Sequence, residues 1–277
     1  MIHLAVFLFG FPGLFGKWLP IPPHLIVAGR VFFASLALGL VLALGRRSLR
    51  VRPALDLALL VLCGLILAVH WTMFFRSIQV STVAVGLLCY STFPVFTAFL
   101  EPPFFSERWD AASLVFALLT MAGVILIVPR PGLKNPIFQG VLWGLGAGLT
   151  FSVLSLLNRR LARSQSSLVV AFYQDLFALA FLSPFVASSG TRMTGRTVGL
   201  LAVLGVVSTA VAHTLFIHGL KRVPARTASI ISSLEPVYGI LLAVAFLKET
   251  PASGTLAGGA LILAAALAVT LKAGRRS

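Results

Sequence analysis

Long apolar stretches separated by short polar connectors run through the whole chain. A helix needs about 20 mainly apolar residues to cross the roughly 30 Å hydrocarbon layer of a membrane. Because the stretches are continuous and do not alternate between apolar and polar residues, they predict helices and not membrane strands. The predicted spans are residues 3–19, 25–44, 54–75, 78–100, 111–128, 137–157, 168–187, 197–219, 227–247 and 254–271.

The composition excludes a water-soluble protein. Apolar residues make up 58% of the 277 residues and charged residues only 10%, against about 45–50% and about 25% in soluble domains. The mean hydropathy is +1.02. We therefore predict an all-α membrane protein with ten transmembrane helices. Cys63 and Cys89 both fall inside apolar stretches and are expected to be packed thiols.

The net charge of +15 reflects basic clusters between the apolar stretches. Nucleic-acid binders instead present basic residues on a solvated face, so we predict no nucleic-acid partner. With the first span starting in the cytoplasm, cytoplasmic connectors and the tail hold 14 Lys and Arg, and the opposite connectors hold 6. This bias predicts a multi-pass protein of a bacterial inner (plasma) membrane with both termini cytoplasmic. A signal peptide is disfavoured, because no Lys or Arg precedes the first apolar stretch and no small-residue cleavage site follows it.

An internal repeat divides the chain into two halves, residues 1–129 and 137–272. Each half contains five predicted spans, so the second half must enter the membrane from the opposite face. Inverted repeats of this kind are typical of carriers that work by alternating access. A shift of 142 positions superimposes Thr72 on Thr214, Phe74 on Phe216, Ser91 on Ser233, Pro94 on Pro236, Val95 on Val237 and Glu107 on Glu249.

Several short motifs resemble a tandem pair of EamA domains, which belong to the drug/metabolite transporter superfamily. They are STFPVF at 91–96 with SER at 106–108, SLEPVY at 233–238 with KET at 248–250, RVFFA at 30–34, and LKRVPARTA at 220–228. The resemblance covers essentially the whole chain. It implies a carrier, commonly an exporter, of small metabolites such as amino acids, with the cavity between the two halves. One departure is that Phe93 stands where the second half has Glu235.

Two carboxyl groups are predicted at similar membrane depth. Asp175 lies about seven residues into the seventh span and Glu235 about eight residues into the ninth, roughly 11–12 Å from the cytoplasmic ends at about 1.5 Å per residue. Charges at this depth are costly and usually functional. We expect the pair to share a cavity and to exchange the coupling proton. The alternative is a protonated carboxyl that only hydrogen-bonds a neighbouring helix.

Further candidates for substrate binding are polar or aromatic residues within the spans. Arg30, His70 and Lys17 fall in the outer parts of their spans and could meet a substrate carboxylate, although Lys17 could instead extend to the lipid headgroups. The other candidates are Tyr90, Tyr173, Gln174 and Tyr238. Ordinary helix packing is the alternative for His70 and the tyrosines.

Pro94 and Pro236 are predicted hinges, because an internal proline removes a helix hydrogen bond and kinks the helix. Glu107 and Glu249 are expected to lie in loops on opposite faces and to cap or brace helices, and not to contact substrate. The pairs Gly144/Gly148 and Gly254/Gly258 predict faces of close helix packing. A homodimer through the tenth span is an option that the sequence leaves open.

The motifs of competing functions are absent from the sequence. It contains no Gly-x-x-x-x-Gly-Lys-Ser/Thr phosphate loop, no His-Glu-x-x-His and no Gly-x-Gly-Asp. ATP-driven transport and a membrane-embedded enzyme are therefore disfavoured, and we predict no cofactor and no metal site. A pore or a regulatory membrane protein remains an alternative. The preferred hypothesis is a proton-linked exporter whose partners are a small-molecule substrate and the lipid bilayer.

Overall fold

A computed structural model describes residues 2–105, 112–127, 132–161, 164–212, 214–216, 231–232 and 234–273. Regular structure in these ranges is entirely helical. Glu107, Ser233 and the motif at 220–228 lie outside the described residues. The helices are α1 (Ile2–Gly10), α2 (Pro12–Trp18), α3 (Pro23–Leu44), α4 (Ala54–Val80), α5 (Val83–Tyr90), α6 (Phe93–Phe105), α7 (Ala112–Ile127), α8 (Pro136–Leu161), α9 (Ser167–Ser188), α10 (Gly195–Gly205), α11 (Glu235–Leu247) and α12 (Ser253–Ala273). A π-helical stretch, Val206–Val211, continues α10.

Six helical segments in the described part are long and apolar enough to cross a membrane. They correspond to the second, third, fourth, sixth, seventh and eighth predicted spans, and three shorter apolar helices correspond to the fifth, ninth and tenth. The six are Pro23–Leu44, Ala54–Val80, Val83–Phe104, Pro136–Leu161, Ser167–Ser188 and Gly195–Phe216. The shorter ones are Leu114–Ile127, Glu235–Leu247 and Ser253–Ala268.

Exposure along α3 shows the inverted pattern expected of a protein in lipid. Leu36, Leu40 and Leu44 are 62%, 59% and 77% exposed and follow one another at a spacing of four residues, whereas Arg30 is only 3% exposed. Residues four apart lie on the same face of a helix. The apolar face therefore points outward, as it does when the surrounding solvent is hydrocarbon.

Three predicted helix boundaries are wrong. The first predicted span is broken after Gly10 into α1 and α2. Arg76 was predicted to lie in a connector, but α4 continues to Val80 and places Arg76 in its last turns, with the side chain exposed. The fourth span is interrupted between Tyr90 and Phe93.

The two predicted hinge prolines do not kink continuous helices. Pro94 is the second residue of α6, and Pro236 is the second residue of α11. The first turn of a helix has no intrahelical partners for its N–H groups, so proline costs little there. Each proline instead lies at the start of a helix that follows a turn residue, Thr92 or Leu234, and its role as a hinge stays a prediction.

Glycines let neighbouring helices approach closely, as predicted for the two glycine pairs. A Cβ added at Gly144 would lie 2.6 Å from Cβ of Cys89, and one at Gly148 would lie 3.0 Å from the carbonyl oxygen of Tyr90. On α12, a Cβ at Gly258 would lie 2.3 Å from the carbonyl oxygen of Gly123 on α7. Because the Gly258 face packs against α7 within the chain, a homodimer through α12 would have to use another face.

Replacing Gly258 with Val should separate α7 from α12 and lower the thermal unfolding temperature of the purified protein. Overpacking of a tight contact costs about 1–3 kcal/mol. Gly199→Val is the matched control, because a Cβ at Gly199 meets nothing within 4 Å. An unfolding temperature of Gly258→Val equal to that of Gly199→Val would contradict the tight α7–α12 contact.

Candidate functional site

Arg30 lies buried on α3 at the centre of the candidate site. Its Nε donates a hydrogen bond to Oγ1 of Thr209 at 2.8 Å. Its guanidinium carbon lies 3.6 Å from the centroid of the Trp71 ring and 5.9 Å from that of Phe75. These are cation–π distances, which stabilise a desolvated cation by about 2 kcal/mol.

The π-helical stretch after α10 supplies the hydrogen-bond partner of Arg30. Thr209 Oγ1 donates to the carbonyl oxygen of Leu204 at 3.1 Å, a separation of five residues along the chain, and so accepts the bond from Arg30 with its lone pair. Thr209 has no exposed surface. π-Helical turns are rare and frequently occur at functional sites. The local winding of this helix therefore fixes the position of the Arg30 side chain.

Two carboxyl groups face the charge of Arg30. Asp175, on α9, is 2% exposed, and Glu235, in the first turn of α11, is partly buried. Both carboxyls interact electrostatically with Arg30, and neither forms an ion pair with it within 4 Å. Across the described ranges, neither carboxyl accepts a hydrogen bond from another group. One cation and two carboxyls from three helices thus meet without being locked together.

His70 and Tyr90 connect this charged group to a cluster of rings. Nδ1 of His70 lies 2.9 Å from the carbonyl oxygen of Ala147. Because a carbonyl can only accept, Nδ1 must carry the proton. The His70 ring lies 5.5 Å from the Tyr90 ring, and Tyr90 interacts electrostatically with both Arg30 and Glu235. We call His70, Phe74, Tyr90, Phe93 and Phe151 the aromatic cluster; neighbouring centroids in it lie 4.9–5.7 Å apart.

Besides Lys17, eight binding or coupling residues are predicted, and five of these eight interact with one another electrostatically. They are Arg30, His70, Tyr90, Asp175 and Glu235. We call these five residues the central cluster. Their common feature in the sequence is a charged or titratable group inside an apolar stretch.

The other three predicted residues make their contacts elsewhere. Tyr173 donates its hydroxyl hydrogen bond to the carbonyl oxygen of Leu49 at 2.9 Å. Gln174 donates to the side chain of Asn158. The ring of Tyr238 packs edge-on against Phe7 of α1 at 5.6 Å. These contacts fit helix packing better than substrate binding.

Polar contacts also join the two halves of the chain at one end of α4. Glu249, in the second half, lies at this junction and interacts electrostatically with Lys17 of the first half. Within the first half, Nζ of Lys17 donates to the carbonyl oxygen of Ser81 at 2.6 Å. Oε1 of Glu249 accepts from the backbone N–H of Val83 at 2.7 Å and so caps α5. This contact is the kind predicted for Glu249, which was expected to cap or brace a helix. Lys17 makes a specific contact here, which the headgroup alternative did not anticipate.

A second set of contacts joins the halves at the opposite end of α4, which is 27 residues and so about 40 Å long. Oδ2 of Asp56 accepts hydrogen bonds from Oγ of Ser164 at 2.6 Å and from Nε2 of Gln165 at 2.8 Å. Glu101 and Arg159 form an ion pair between α6 and α8. Arg30 and its neighbours thus lie between two sets of contacts that link residues 1–129 to residues 137–272.

Comparisons with known proteins identify the family of this chain. The sequence matches the profile of the EamA-like transporter family over residues 1–128 and 138–271. It is 24% identical to the "Uncharacterized transporter YxxF" of Bacillus subtilis over 90% of this chain and 81% of that protein. It is 26% identical to the "Threonine/homoserine exporter RhtA" of Escherichia coli over 74% of this chain and 68% of that protein.

Two further comparisons concern function and fold. The "S-adenosylmethionine uptake transporter" of Rickettsia bellii is 24% identical over 86% of this chain and 80% of that protein. A solved crystal structure superposes with a TM-score of 0.67 at 22% identity, covering 100% of this chain and 97% of that chain. This crystal structure therefore shares the overall helical fold of the chain.

Proposed function

Since the chain belongs to the EamA-like transporter family, we propose that it is a proton-linked secondary carrier that exports a small organic metabolite such as an amino acid. The observation that carries the proposal is the central cluster. Arg30, Asp175 and Glu235 bring three ionisable groups together in the interior of a protein whose outer faces are apolar. Charged groups at membrane depth are costly and are retained where they bind or move charge.

The chemistry of the central cluster suits a zwitterion. The guanidinium of Arg30 can bind a carboxylate through paired N–H groups. Asp175 or Glu235 can accept from an ammonium group, and the other carboxyl can carry the coupling proton. Neither carboxyl is committed to a hydrogen bond among the described residues, so both are available for these roles.

The two sets of contacts between the halves support a mechanism of alternating access. Glu249 joins the halves near one end of α4 through its hydrogen bond to Val83, and Asp56 with Ser164 and Gln165 joins them near the other. A carrier needs a seal on each side of its binding site that opens while the other stays closed. Export, rather than uptake, follows the family resemblance and the name of the Escherichia coli relative.

Ten spans in two inverted repeats complete the proposed architecture, with both termini in the cytoplasm. Equivalent positions of the two halves make equivalent contacts. Thr72 and Thr214 each donate from Oγ1 to the carbonyl oxygen four residues earlier, both at 2.7 Å. Pro94 and Pro236 each occupy the second position of a helix that follows a turn residue, Thr92 or Leu234. These matches support a common ancestry of the halves.

A reconstituted transport assay tests the proposal. The purified protein in proteoliposomes is supplied with amino acids, nucleosides, sugars or cationic drugs, each with and without a pH gradient. We expect saturable flux of one class, stimulation by the same solute on the opposite side, and accumulation driven by the proton gradient. Flux that never saturates and shows no counterflow would instead identify a pore, and unchanged flux on removing the gradient would refute proton coupling.

A further inference from the structure

A basic recess opens beside the end of α4 that carries the Lys17 contact. It has a volume of about 430 Å³. One wall is the end of α2, another is the loop between α2 and α3, and the third is the last turns of α4. Its lining residues are Gly16, Lys17, Leu19, Pro20, Ile21, Pro22, Pro23, Arg76 and Gln79.

Both charged residues of the recess are cations. Lys17 and Arg76 come from different helices, and the lining contains no Asp or Glu. The Arg76 side chain is exposed and forms no ion pair in the described part of the chain. Lys17 gives one N–H to Ser81, but an ammonium group has three donors. Glu249, which is not part of the lining, also interacts electrostatically with Lys17. The recess therefore offers an anion the exposed charge of Arg76 and the remaining donors of Lys17.

The loop that closes the recess is held in place by Gln79. Nε2 of Gln79 donates to the carbonyl oxygen of Ile21 at 2.9 Å and to that of Leu19 at 3.4 Å. Pro20, Pro22 and Pro23 in the same loop have no N–H to offer a ligand. An anion in this recess would accordingly take its hydrogen bonds from Lys17 and Arg76, against a wall of fixed shape.

A single aromatic ring stands between the recess and Arg30. Gly16 lines the recess, and a Cβ added there would lie 3.3 Å from Cδ1 of Phe75. The Phe75 ring is in turn 5.9 Å from the guanidinium carbon of Arg30. Phe75 is fully buried. Phe75 therefore packs between Gly16 in the wall of the recess and Arg30 in the central cluster.

We propose that this recess is a second anion-binding site, which holds the carboxylate or phosphate group of a small solute outside the Phe75 ring. Its role as a vestibule for the transported solute rests on the proposed carrier function; its binding of anions does not. The same chemistry would also accept the phosphate of an anionic lipid headgroup, and the experiment separates these two sources.

The test measures the electrostatic potential in the recess. A cysteine replaces Pro20, or Pro22 in a second variant, both of which are exposed lining residues. The native thiols Cys63 and Cys89 are buried and give little background. The protein is placed in nanodiscs of neutral lipid and reacted with an anionic or a cationic methanethiosulfonate reagent. We expect the anionic reagent to react about tenfold faster, because clefts of one charge concentrate counter-ions.

The decisive comparison removes one charge inside the recess and one outside it. Arg76→Gln should reduce the ratio of anionic to cationic rates several-fold, by loss of local potential. Arg196→Gln is the matched control, since Arg196 is exposed and does not line the recess. Equal rates for the two reagents, or equal effects of the two Arg substitutions, would overturn the proposal.

Protection experiments identify the source of the anion. Millimolar sodium acetate or inorganic phosphate should slow labelling in neutral nanodiscs if the recess takes a small solute. Protection only by phosphatidylglycerol nanodiscs, with no effect of acetate or phosphate, would assign a lipid site and refute the solute site.

The transport assay tests the role of the recess as a vestibule. Arg76→Gln should raise the KM for solute supplied on the side of the membrane where the recess opens, without altering the pH dependence of transport. Normal anion labelling in a protein that transports nothing would reject the carrier while keeping the anion site.

Discussion

Transport should fall by at least about tenfold when Arg30 is replaced by Gln, which corresponds to a loss of about 1.4 kcal/mol or more of binding free energy. The substitution removes the only cation that faces both Asp175 and Glu235 among the described residues. It also removes the hydrogen bond to Thr209 and the contact with the Trp71 ring. Initial rates in inverted membrane vesicles, normalised to the amount of folded protein, measure the effect.

Arg30→Lys is the matched variant for this prediction. Lysine keeps the charge but lacks the planar, forked set of donors that binds a carboxylate through two bonds. We expect transport between that of Arg30→Gln and that of the wild type, mainly through a raised KM. Wild-type rates in a folded Arg30→Gln protein would show that Arg30 only packs the helices.

A double variant separates stability from transport. Breaking a buried charge arrangement by removing one partner costs about 3–5 kcal/mol, because the other charge is left uncompensated. Arg30→Gln combined with Asp175→Asn should therefore regain part of the thermal stability lost in the single variant. It should not regain transport. Recovery of both would indicate a purely structural role for the pair.

Loss of the response to a proton gradient is the second large effect, expected for Asp175→Asn and Glu235→Gln. The amides keep the size of the carboxyls but cannot take up or release the coupling proton. Accumulation driven by a pH gradient should fall by at least about tenfold, the scale of 1.4 kcal/mol of lost driving force. Exchange of solute at equal pH on both sides should persist in at least one of the two variants. Proteoliposome uptake with imposed pH gradients measures both quantities.

Two carboxyls outside the central cluster serve as controls. Asp56→Asn alters the acceptor of the Ser164 and Gln165 hydrogen bonds, and Glu249→Gln alters the cap of α5. Both substitutions affect contacts between the halves, so they should change transport rates without abolishing the dependence on the pH gradient. If Asp175→Asn and Glu235→Gln fold and transport normally across pH, the proposed coupling role is refuted.

The sequence predicted the charged part of the candidate site because such groups are rare within apolar stretches. Arg30, Asp175 and Glu235 could be selected for that reason alone. The sequence placed Arg30 in an outer vestibule and the two carboxyls in a separate shared cavity, whereas Arg30 interacts electrostatically with both carboxyls in the structure. Thr209 could not be selected, since its partner is 179 residues away and its orientation depends on a π-helical turn. A threonine in an apolar helix carries no comparable signal.

Helix ends were harder to predict than helix positions. Arg76 was placed in a connector because of its charge, yet a long side chain near a helix end can reach polar surroundings without ending the helix. Pro94 and Pro236 were expected to kink helices, but each starts one. In both cases the residue type was identified correctly as special, and its local backbone geometry was decided by contacts that the sequence does not show.

The most direct test of the account asks whether the surroundings of Arg30 can be reached from both sides of the membrane. A cysteine at Thr209, which contacts Arg30 and has no exposed surface in this structure, is treated with a membrane-impermeant thiol reagent applied to right-side-out or inverted vesicles. Alternating access predicts labelling from either side, each slowed when a transported solute is present on the other side. Labelling from one side only, unaffected by solute, would contradict a carrier that opens in turn to the two faces.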